Sequence, residues 1–375
     1  MYNFRAHIID ADLPPHRYAQ TALADFDRDG RPEFVTGQQM GTIFAYRYNR
    51  PSDWTRFVLG EDSPSDVGAV ALDVDGDGWL DLVTGGAWYR NPRQPLTTFE
   101  RIVFDPDLAS VHDVLAADID GDGRPEVITM SDRGDLRWYK IPDDPTQPWP
   151  HTRIGAPVHS GAAVGDLTGN GSLDVVRTNA WFENVRGDGS EWLEHPLPFP
   201  PQDAERLTHG FMVNATHAQV VDVDGDGDND IVMVENEMTG GKLMWMENVR
   251  GDGSAWVVHP IWLPTEEIRG AYHSLVVGDL AGDGGIDILS AEMEDIRGER
   301  APRFYLWENP DGQGREWREH VLFDGNLGGH ATLVGDVTGN GLPDILSKPW
   351  WIWPDNALGG RHYVLFLENL GRSDA

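Results

Sequence analysis

The chain contains no cysteine, so neither disulfides nor thiolate metal sites are available to it. Lysine is almost as scarce: only Lys140, Lys242 and Lys348 occur, among 29 basic residues against 62 acidic ones. The formal net charge of -33 disfavours nucleic acid and anionic membranes as partners, because both need clustered Lys and Arg. We therefore expect no nucleic acid and no membrane among the partners.

Long hydrophobic runs are also missing. No segment is long and apolar enough to span a membrane. Residues 1–12 lack the apolar stretch and the small-residue cleavage site of a secretory leader. As written, the chain is expected to be cytoplasmic, or secreted if a leader was removed. Composition leaves the oligomeric state and the redox compartment open.

The chain does contain an aspartate-rich loop of nine positions that returns seven times, each time between two short apolar segments. The first aspartates of the copies are Asp25, Asp73, Asp118, Asp166, Asp222, Asp279 and Asp336. A period of about fifty residues with four short β-branched segments per unit is typical of a β-propeller. The sequence therefore predicts one all-β domain over residues 1–375, a seven-bladed β-propeller of four-stranded antiparallel blades.

The seventh unit ends after its third strand, and the N-terminal segment can supply the missing fourth. Residues 3–9 (NFRAHII) resemble residues 316–322 (EWREHVL), which form a fourth strand in the preceding unit. We predict that the first strand completes the last blade and closes the ring of blades. Closure of this kind removes an open sheet edge that would invite aggregation.

The aspartate loops place oxygen atoms at positions 1, 3, 5 and 9, with a glycine at position 6 that permits a sharp turn. All-oxygen ligation in a compact acidic loop suits calcium, and the best copies are expected in the second and fifth loops. The alternative is a metal-free turn held by hydrogen bonds from side chain to backbone. The predicted structural calcium ligands are Asp25, Asp27, Asp29, Asp73, Asp75, Asp77, Asp81, Asp118, Asp120, Asp122, Asp222, Asp224, Asp226 and Asp230.

The histidines fall into two sets. One set lies on predicted outer strands and is expected to serve blade packing: His7, His151, His195, His259 and His320. The other set stands just before the inner strands of five successive blades: His112, His159, His217, His273 and His330. Because inner strands surround the axis of a propeller, the second set is expected to meet at one end of the central channel. His16 and His209 lie in the same class of connection, slightly farther back.

Neutral imidazoles together with a carboxylate form a site for zinc or another borderline divalent ion. We predict His217, His273 and His330 as ligands, with Glu235 or Glu292 as the carboxylate. The alternative is that the histidines bind no metal and act as general acid and base. Three further residues are predicted to bind substrate, with the tryptophan stacking on a sugar ring: Trp350, Glu237 and Glu294.

The recurring loops, with Val-Asp-Val-Asp-Gly-Asp-Gly at 221–227 as the best copy, resemble the FG-GAP or VCBS repeat family over essentially the whole chain. In that family the propeller is often an adhesion or ligand-binding module, as in integrin alpha subunits. The histidine set also makes the chain similar to the propellers of carbohydrate-active lyases and dehydratases, such as fungal aldos-2-ulose dehydratase and the rhamnosyl-glucuronate lyases.

This second resemblance implies a metal-assisted β-elimination on a uronic-acid saccharide or a keto-sugar, which is the reaction of a carbon–oxygen lyase. His112 or His159 would be the base, and assistance would come from Arg177, Tyr272 or Lys348. Two alternatives stay open. One is a non-catalytic carbohydrate- or protein-binding propeller, and the other is a metal-dependent hydrolase.

Overall fold

The computed structural model describes residues 2–64, 67–93, 97–198, 216–263, 267–293 and 300–372. Within these ranges the regular structure consists of 28 strands arranged in seven four-stranded sheets. The fold is a seven-bladed all-β propeller of antiparallel blades, which confirms the predicted fold class. No helix able to cross a membrane is present among the described residues.

Two compact units organise the chain. The first comprises Met1–Ala116, Val127–Pro157 and Ala331–Ala375, and the second comprises Ala117–Glu126 and Val158–His330. The organisation as a single domain stays a prediction.

The first unit holds four blades, apart from the loop Ala117–Glu126. Within each blade, strands adjacent in the sheet are antiparallel, and all but one connection joins consecutive strands. In chain order the strands are β1 (Tyr2–Asp10), β2 (Tyr18–Ala24), β3 (Glu33–Gln38), β4 (Ile43–Arg50), β5 (Asp53–Gly60), β6 (Val70–Leu72), β7 (Asp81–Thr84), β8 (Ala87–Arg90), β9 (Glu100–Val103), β10 (Val111–Ala117), β11 (Glu126–Ser131), β12 (Leu136–Tyr139), β13 (His151–Gly155), and, at the end of the chain, β26 (Ala331–Gly335), β27 (Asp344–Lys348) and β28 (Val364–Arg372).

The exception is the last blade, where the N-terminal strand β1 pairs with the C-terminal strand β28 and completes the sheet as predicted. β1 pairs with β28, and the sheet order is β1-β28-β27-β26. His7 faces Phe366 in the register, and its Nε2 lies 2.9 Å from Glu368 Oε2. The likeness of residues 3–9 to a fourth strand therefore reflects a real structural equivalence, and β1 covers an edge of β28 that would otherwise be exposed.

The second unit holds three blades built in the same way. Their strands are β14 (Ala162–Gly165), β15 (Asp174–Arg177), β16 (Ala180–Asn184), β17 (Trp192–Pro196), β18 (Thr216–Val221), β19 (Asp230–Glu235), β20 (Leu243–Asn248), β21 (Trp256–Trp262), β22 (Tyr272–Gly278), β23 (Asp287–Glu292), β24 (Phe304–Glu308) and β25 (Arg318–Phe323).

The hydrophobic core lies between neighbouring blades of each unit. Val232, Trp245 and Ile288 share one apolar cluster of the second unit, although they come from two different sheets. The second strands β19 and β23 are buried along their whole length, whereas the outer strand β21 is only partly buried. A blade thus buries both of its faces against its neighbours, as propeller repeats must.

A recurring asparagine at the end of the third strand ties each blade of the second unit to the loop of the preceding blade. Asn248 donates its backbone N–H to Asp230 Oδ1 at 2.8 Å and its side-chain amide to the carbonyl of Leu167 at 2.9 Å. The same side-chain bond joins two further pairs, Asn184 to Ile119 and Asn309 to Val223. The repeated Glu-Asn ending of the third strand is therefore a structural device.

Candidate metal centre

Four of the five histidines predicted to meet belong to the second unit, and they surround one carboxylate, that of Glu237. His217 and His273 lie at the beginnings of the inner strands β18 and β22. His159 and His330 occupy the corresponding connections before β14 and β26. We call these four histidines and Glu237 the histidine–glutamate cluster.

Glu237 reaches the cluster because of an unusual backbone conformation. It follows the end of β19, and its φ is 59°. This left-handed conformation costs about 1–2 kcal/mol for a residue other than glycine, and such strain is concentrated at functional sites. The preceding residue, Asn236, forms a parallel bridge with Tyr272, which brings Glu237 beside His273.

The tautomer of His273 is set by a backbone contact. Its Nδ1 donates a hydrogen bond to the carbonyl of His330 at 2.8 Å, so in the neutral ring Nε2 carries a lone pair. That Nε2 lies 3.2 Å from Glu237 Oε1. Two lone-pair-bearing atoms this close in a buried site need a proton or a cation between them.

The other members of the cluster lie around this contact. The rings of His273 and His330 stack with 3.5 Å between centroids, and His217 meets His273 edge-on at 4.8 Å. His159 Nε2 is 3.8 Å from Glu237 Oε1. The donor atoms of Glu237, His273 and His330 all lie within 4.8 Å of one another, and all three residues are buried. Two imidazoles and a carboxylate are a donor set that fits zinc or another borderline divalent ion.

The electrostatics of the cluster favour a neutral ring at His217 and an ionised carboxylate at Glu237. Burial lowers the pKa of His217 to about 3, and the charge of His273 acts in the same direction. Burial alone would raise the pKa of Glu237, but hydrogen bonds and charges from His159 and His273 outweigh it, and the pKa lies well below its usual range. A buried, ionised carboxylate among imidazole nitrogens is a donor set that a metal cation can use.

The two carboxylates predicted as ligands hold loop backbone instead. Glu235 accepts the backbone N–H of Lys242 at 2.9 Å. Glu292 accepts the backbone N–H groups of Gly270 and Arg303 at 2.5 and 2.9 Å, and burial raises its pKa. Glu237, which was predicted to bind substrate, is the carboxylate placed with the histidines. The sequence does not reveal this, because a left-handed φ at a glutamate has no signature in residue type.

Two of the predicted catalytic groups in the second unit take part in other contacts. Arg177 Nη2 donates to Glu194 Oε1 at 3.0 Å, and its guanidinium lies 5.3 Å from the ring of Phe182. The hydroxyl of Tyr272 accepts a hydrogen bond from Arg269 at 3.1 Å, and burial raises its pKa well above the usual value. A phenol with so high a pKa is a weak general acid near neutral pH.

The remaining predicted residues lie in the first unit or outside the residues that the structure describes. His112 is buried on β10, and its carbonyl accepts the N–H of Gly68 at 3.2 Å. Lys348 ends β27, where its Nζ donates to the carbonyl of Tyr18. Trp350 is half-buried. Glu294 and His209 lie outside the described residues.

The aspartate loops combine turn-forming hydrogen bonds with convergent carboxylates. In the second loop, Asp73 accepts the N–H groups of Asp77 and Gly78 at 3.0 and 2.9 Å, as the metal-free alternative requires. Asp81 likewise accepts two backbone N–H groups, and burial raises its pKa to about 7. Asp75 Oδ1, however, is buried and accepts no hydrogen bond within the described part of the chain. That oxygen fits a cation.

At least four of the described loops bring three carboxylates within 4.8 Å of one another: Asp25, Asp27 and Asp29; Asp73, Asp75 and Asp81; Asp118, Asp120 and Asp122; Asp222, Asp224 and Asp230. In the second loop two arginines form ion pairs with the aspartates. Arg93 Nε lies 2.5 Å from Asp77 Oδ2, and Arg90 Nε lies 3.1 Å from Asp75 Oδ2. A guanidinium competes with calcium for these oxygens, so the fifth loop is the stronger candidate. Its Asp226 accepts the N–H of Asp228 at 2.9 Å. Calcium at these loops stays a prediction.

Comparison with known proteins supports the repeat assignment. The FG-GAP-like repeat model matches residues 25–84, 118–176, 222–290 and 282–347. A search of curated proteins found no match. Among solved structures, BBS1N in complex with ARL6DN, soaked with mercury, is similar with a TM-score of 0.59 at 11% identity, covering 99% of this chain and 98% of that chain.

A second solved structure, YCF48 bound to D1 peptide, is similar with a TM-score of 0.55 at 12% identity, covering 100% of this chain and 98% of that chain. At these identities the likeness shows the fold alone. The repeat model, in contrast, covers more than half of the sequence. This chain belongs to the FG-GAP-like repeat family.

Proposed function

We propose that this chain is a binding propeller that holds a divalent metal ion in the histidine–glutamate cluster and there binds an acidic group of a protein or peptide partner. The observation that carries the proposal is the 3.2 Å contact between Glu237 Oε1 and His273 Nε2. Because Nδ1 of the same ring is committed to a backbone carbonyl, the contact demands a positive charge between its two atoms.

A metal ion accounts for this contact better than a lone imidazolium. Ligand atoms of a tetrahedral zinc site lie about 3.3 Å apart, which agrees with the observed separation. A third donor, His330, lies in the same group, and a simple ion pair does not need it. The backbone hydrogen bond to His273 is the type of outer contact that orients metal-binding histidines. When bound, the ion would supply a Lewis-acidic position for an anionic ligand.

Binding is preferred to catalysis because of what surrounds the cluster. Arg177 and Tyr272, two of the three residues predicted to assist an elimination, form contacts with Glu194 and Arg269. Both similar solved propellers were captured with a protein or peptide, which favours a polypeptide partner over a saccharide. Fold likeness is only an analogy for function, so the metal site carries the proposal.

Calorimetric titration of zinc into chelator-treated protein tests the proposal, with excess calcium present to fill the aspartate loops. We expect one high-affinity zinc site, and we expect His273→Ala to weaken it by at least about 100-fold because it removes a ligand. His259→Ala is the matched control, since His259 also contacts a glutamate, Glu247, at 2.7 Å, but on an outer strand. Equal zinc binding by wild type and His273→Ala would overturn the metal assignment.

Partner binding is tested on the same proteins with a peptide array probed in zinc and again in chelator. Binding to acidic peptides that needs both zinc and His273 supports the proposal. The lyase and hydrolase hypotheses are tested with uronic-acid polysaccharides and keto-sugars, following the ultraviolet absorbance of an unsaturated product and the release of reducing ends. Either product, lost in His159→Ala, would replace the binding proposal with an enzymatic one.

A further inference from the structure

Positive charge is scarce in this chain, yet in the first unit it collects beside two tryptophans. Lys348 is fully buried, and its Nζ donates to the carbonyl of Tyr18. The backbone N–H of Tyr18 in turn donates to the carbonyl of Trp350 at 2.9 Å. The start of β2 and the end of β27 therefore meet at a buried ammonium group.

His362 adds a second nitrogen-bearing group to this place. It is 3% exposed, and its ring lies 5.2 Å from that of Tyr18 and 5.8 Å from that of Trp351. Neither ring nitrogen has a hydrogen-bond partner among the described residues. Buried polar groups are nearly always hydrogen-bonded, so two unsatisfied nitrogens point to a ligand. Burial lowers the pKa of His362 to about 4, with the charges of His16 and Lys348 acting in the same direction.

Arg17 completes the group from the solvent side. Its guanidinium lies 5.9 Å from the ring centroid of Trp350 and 6.0 Å from that of Trp351. Arg17 and Trp351 are both exposed. Within the described ranges the guanidinium forms no ion pair, so its fork of N–H donors is available for a bidentate contact with a carboxylate. We call His16, Arg17, Lys348 and His362 the basic set; its positive charge lies on Arg17 and Lys348.

We propose that the basic set binds a carboxylate of an acidic peptide, with Arg17 as the exposed contact and an apolar part of that peptide lying on Trp351. Charge complementarity selects this occupant. A net charge of -33 repels an acidic peptide from most of the surface, so a local positive group determines where such a peptide can dock. The site needs no metal, lies in the first unit, and goes beyond the function proposed for the histidine–glutamate cluster.

Fluorescence anisotropy of a labelled hexaglutamate peptide tests the proposal, with hexaglutamine as the neutral comparison. Chelator is present throughout, so a failure here leaves the metal proposal standing, and a failure of the metal proposal leaves this one standing. Wild type should bind hexaglutamate, and Arg17→Gln should weaken binding at least about tenfold, because it removes charged hydrogen bonds. Arg17 is exposed, so this variant is expected to fold.

The control is Arg318→Gln, which removes the same charge from an exposed position on β25 and should bind like wild type. His362→Phe, checked for an unchanged melting curve, should bind as weakly as Arg17→Gln. Three results would overturn the proposal: equal binding of hexaglutamine, wild-type affinity in Arg17→Gln, or an equal loss in Arg318→Gln.

Discussion

Contacts between histidine and glutamate occur in two regions of this molecule, and their surroundings differ. On the outer strands His195 lies 2.8 Å from Glu183, with 33% and 26% of the two side chains exposed. In the histidine–glutamate cluster His273 lies 3.2 Å from Glu237, with 2% and 7% exposed. The residue types are the same. Water can stabilise the outer pair, whereas the inner pair must balance its charge within the protein.

The outer contacts also serve packing, as predicted from sequence. The ring of His195 stacks on Trp181 at 4.3 Å, and that of His259 stacks on Trp245 at 4.4 Å. Each of these histidines thus joins two neighbouring strands of its own blade. The inner histidines stack on one another instead. A repeated histidine is structural where its neighbours are tryptophan and solvent, and it becomes a candidate ligand where its neighbours are other histidines.

The largest effect is expected from removing an entire outer strand. Deleting residues 1–10 takes away β1, its pairing with β28 and the contact of His7 with Glu368. We expect the melting temperature to fall by at least about 10 °C in a single cooperative transition, measured by circular dichroism. His7→Gln, which removes the contact of this ring with Glu368 and its stacking on Phe366 but keeps the strand, should cost much less than the deletion. An unchanged melting temperature after the deletion would refute the structural role of β1.

The next effect concerns acid stability of the metal-free protein. The pKa of His217 falls from 6.5 to about 3 in the folded state, so the folded state favours the neutral ring. Its stabilisation is present above the unfolded value and is lost as pH falls from about 6.5 towards 3, when only the unfolded chain takes up the proton. At about pH 5 the loss is on the order of 2 kcal/mol.

Denaturant unfolding of His217→Gln across this pH window checks the sign. The variant should lose less stability than wild type between about pH 7 and pH 5. If His217→Gln and wild type show the same pH dependence, the buried neutral state of His217 is wrong.

A smaller effect is expected at the asparagine that joins adjacent blades. Asn248→Ala leaves the carbonyl of Leu167 without this donor and should destabilise the protein by about 1–3 kcal/mol, as measured by denaturant unfolding. Asn49→Ala is the control, because Asn49 is exposed and donates only to Thr55. Equal losses in both variants would remove the special role assigned to the buried asparagine.

The sequence predicted the fold well because the fold is repetitive. Every copy of the loop and strand pattern adds support, and the likeness of His7 to His320 correctly placed β1 beside β28. Of the predicted ligands, His217, His273 and His330 lie close together, and the carboxylate beside them is that of Glu237; their role as metal ligands stays a prediction. Glu237 has a left-handed φ of 59°, and such a local conformation is not encoded by periodicity.

The sequence also did not predict that arginine side chains compete with calcium for the carboxylates of an aspartate loop. By composition the second and fifth loops are equal candidates for calcium. Among the described residues, Arg90 and Arg93 contact carboxylates of the second loop but not those of the fifth. Both arginines lie outside the nine-position motif. Long side chains that enter a site from outside the motif are visible only once the chain has folded.

Anomalous diffraction at the zinc edge, from crystals soaked in zinc with excess calcium, tests the central claim most directly. We expect one strong peak between the side chains of Glu237, His273 and His330, and no such peak in crystals of His273→Ala. A map with no peak at that position in the wild-type protein, or with zinc only at the aspartate loops, would contradict it.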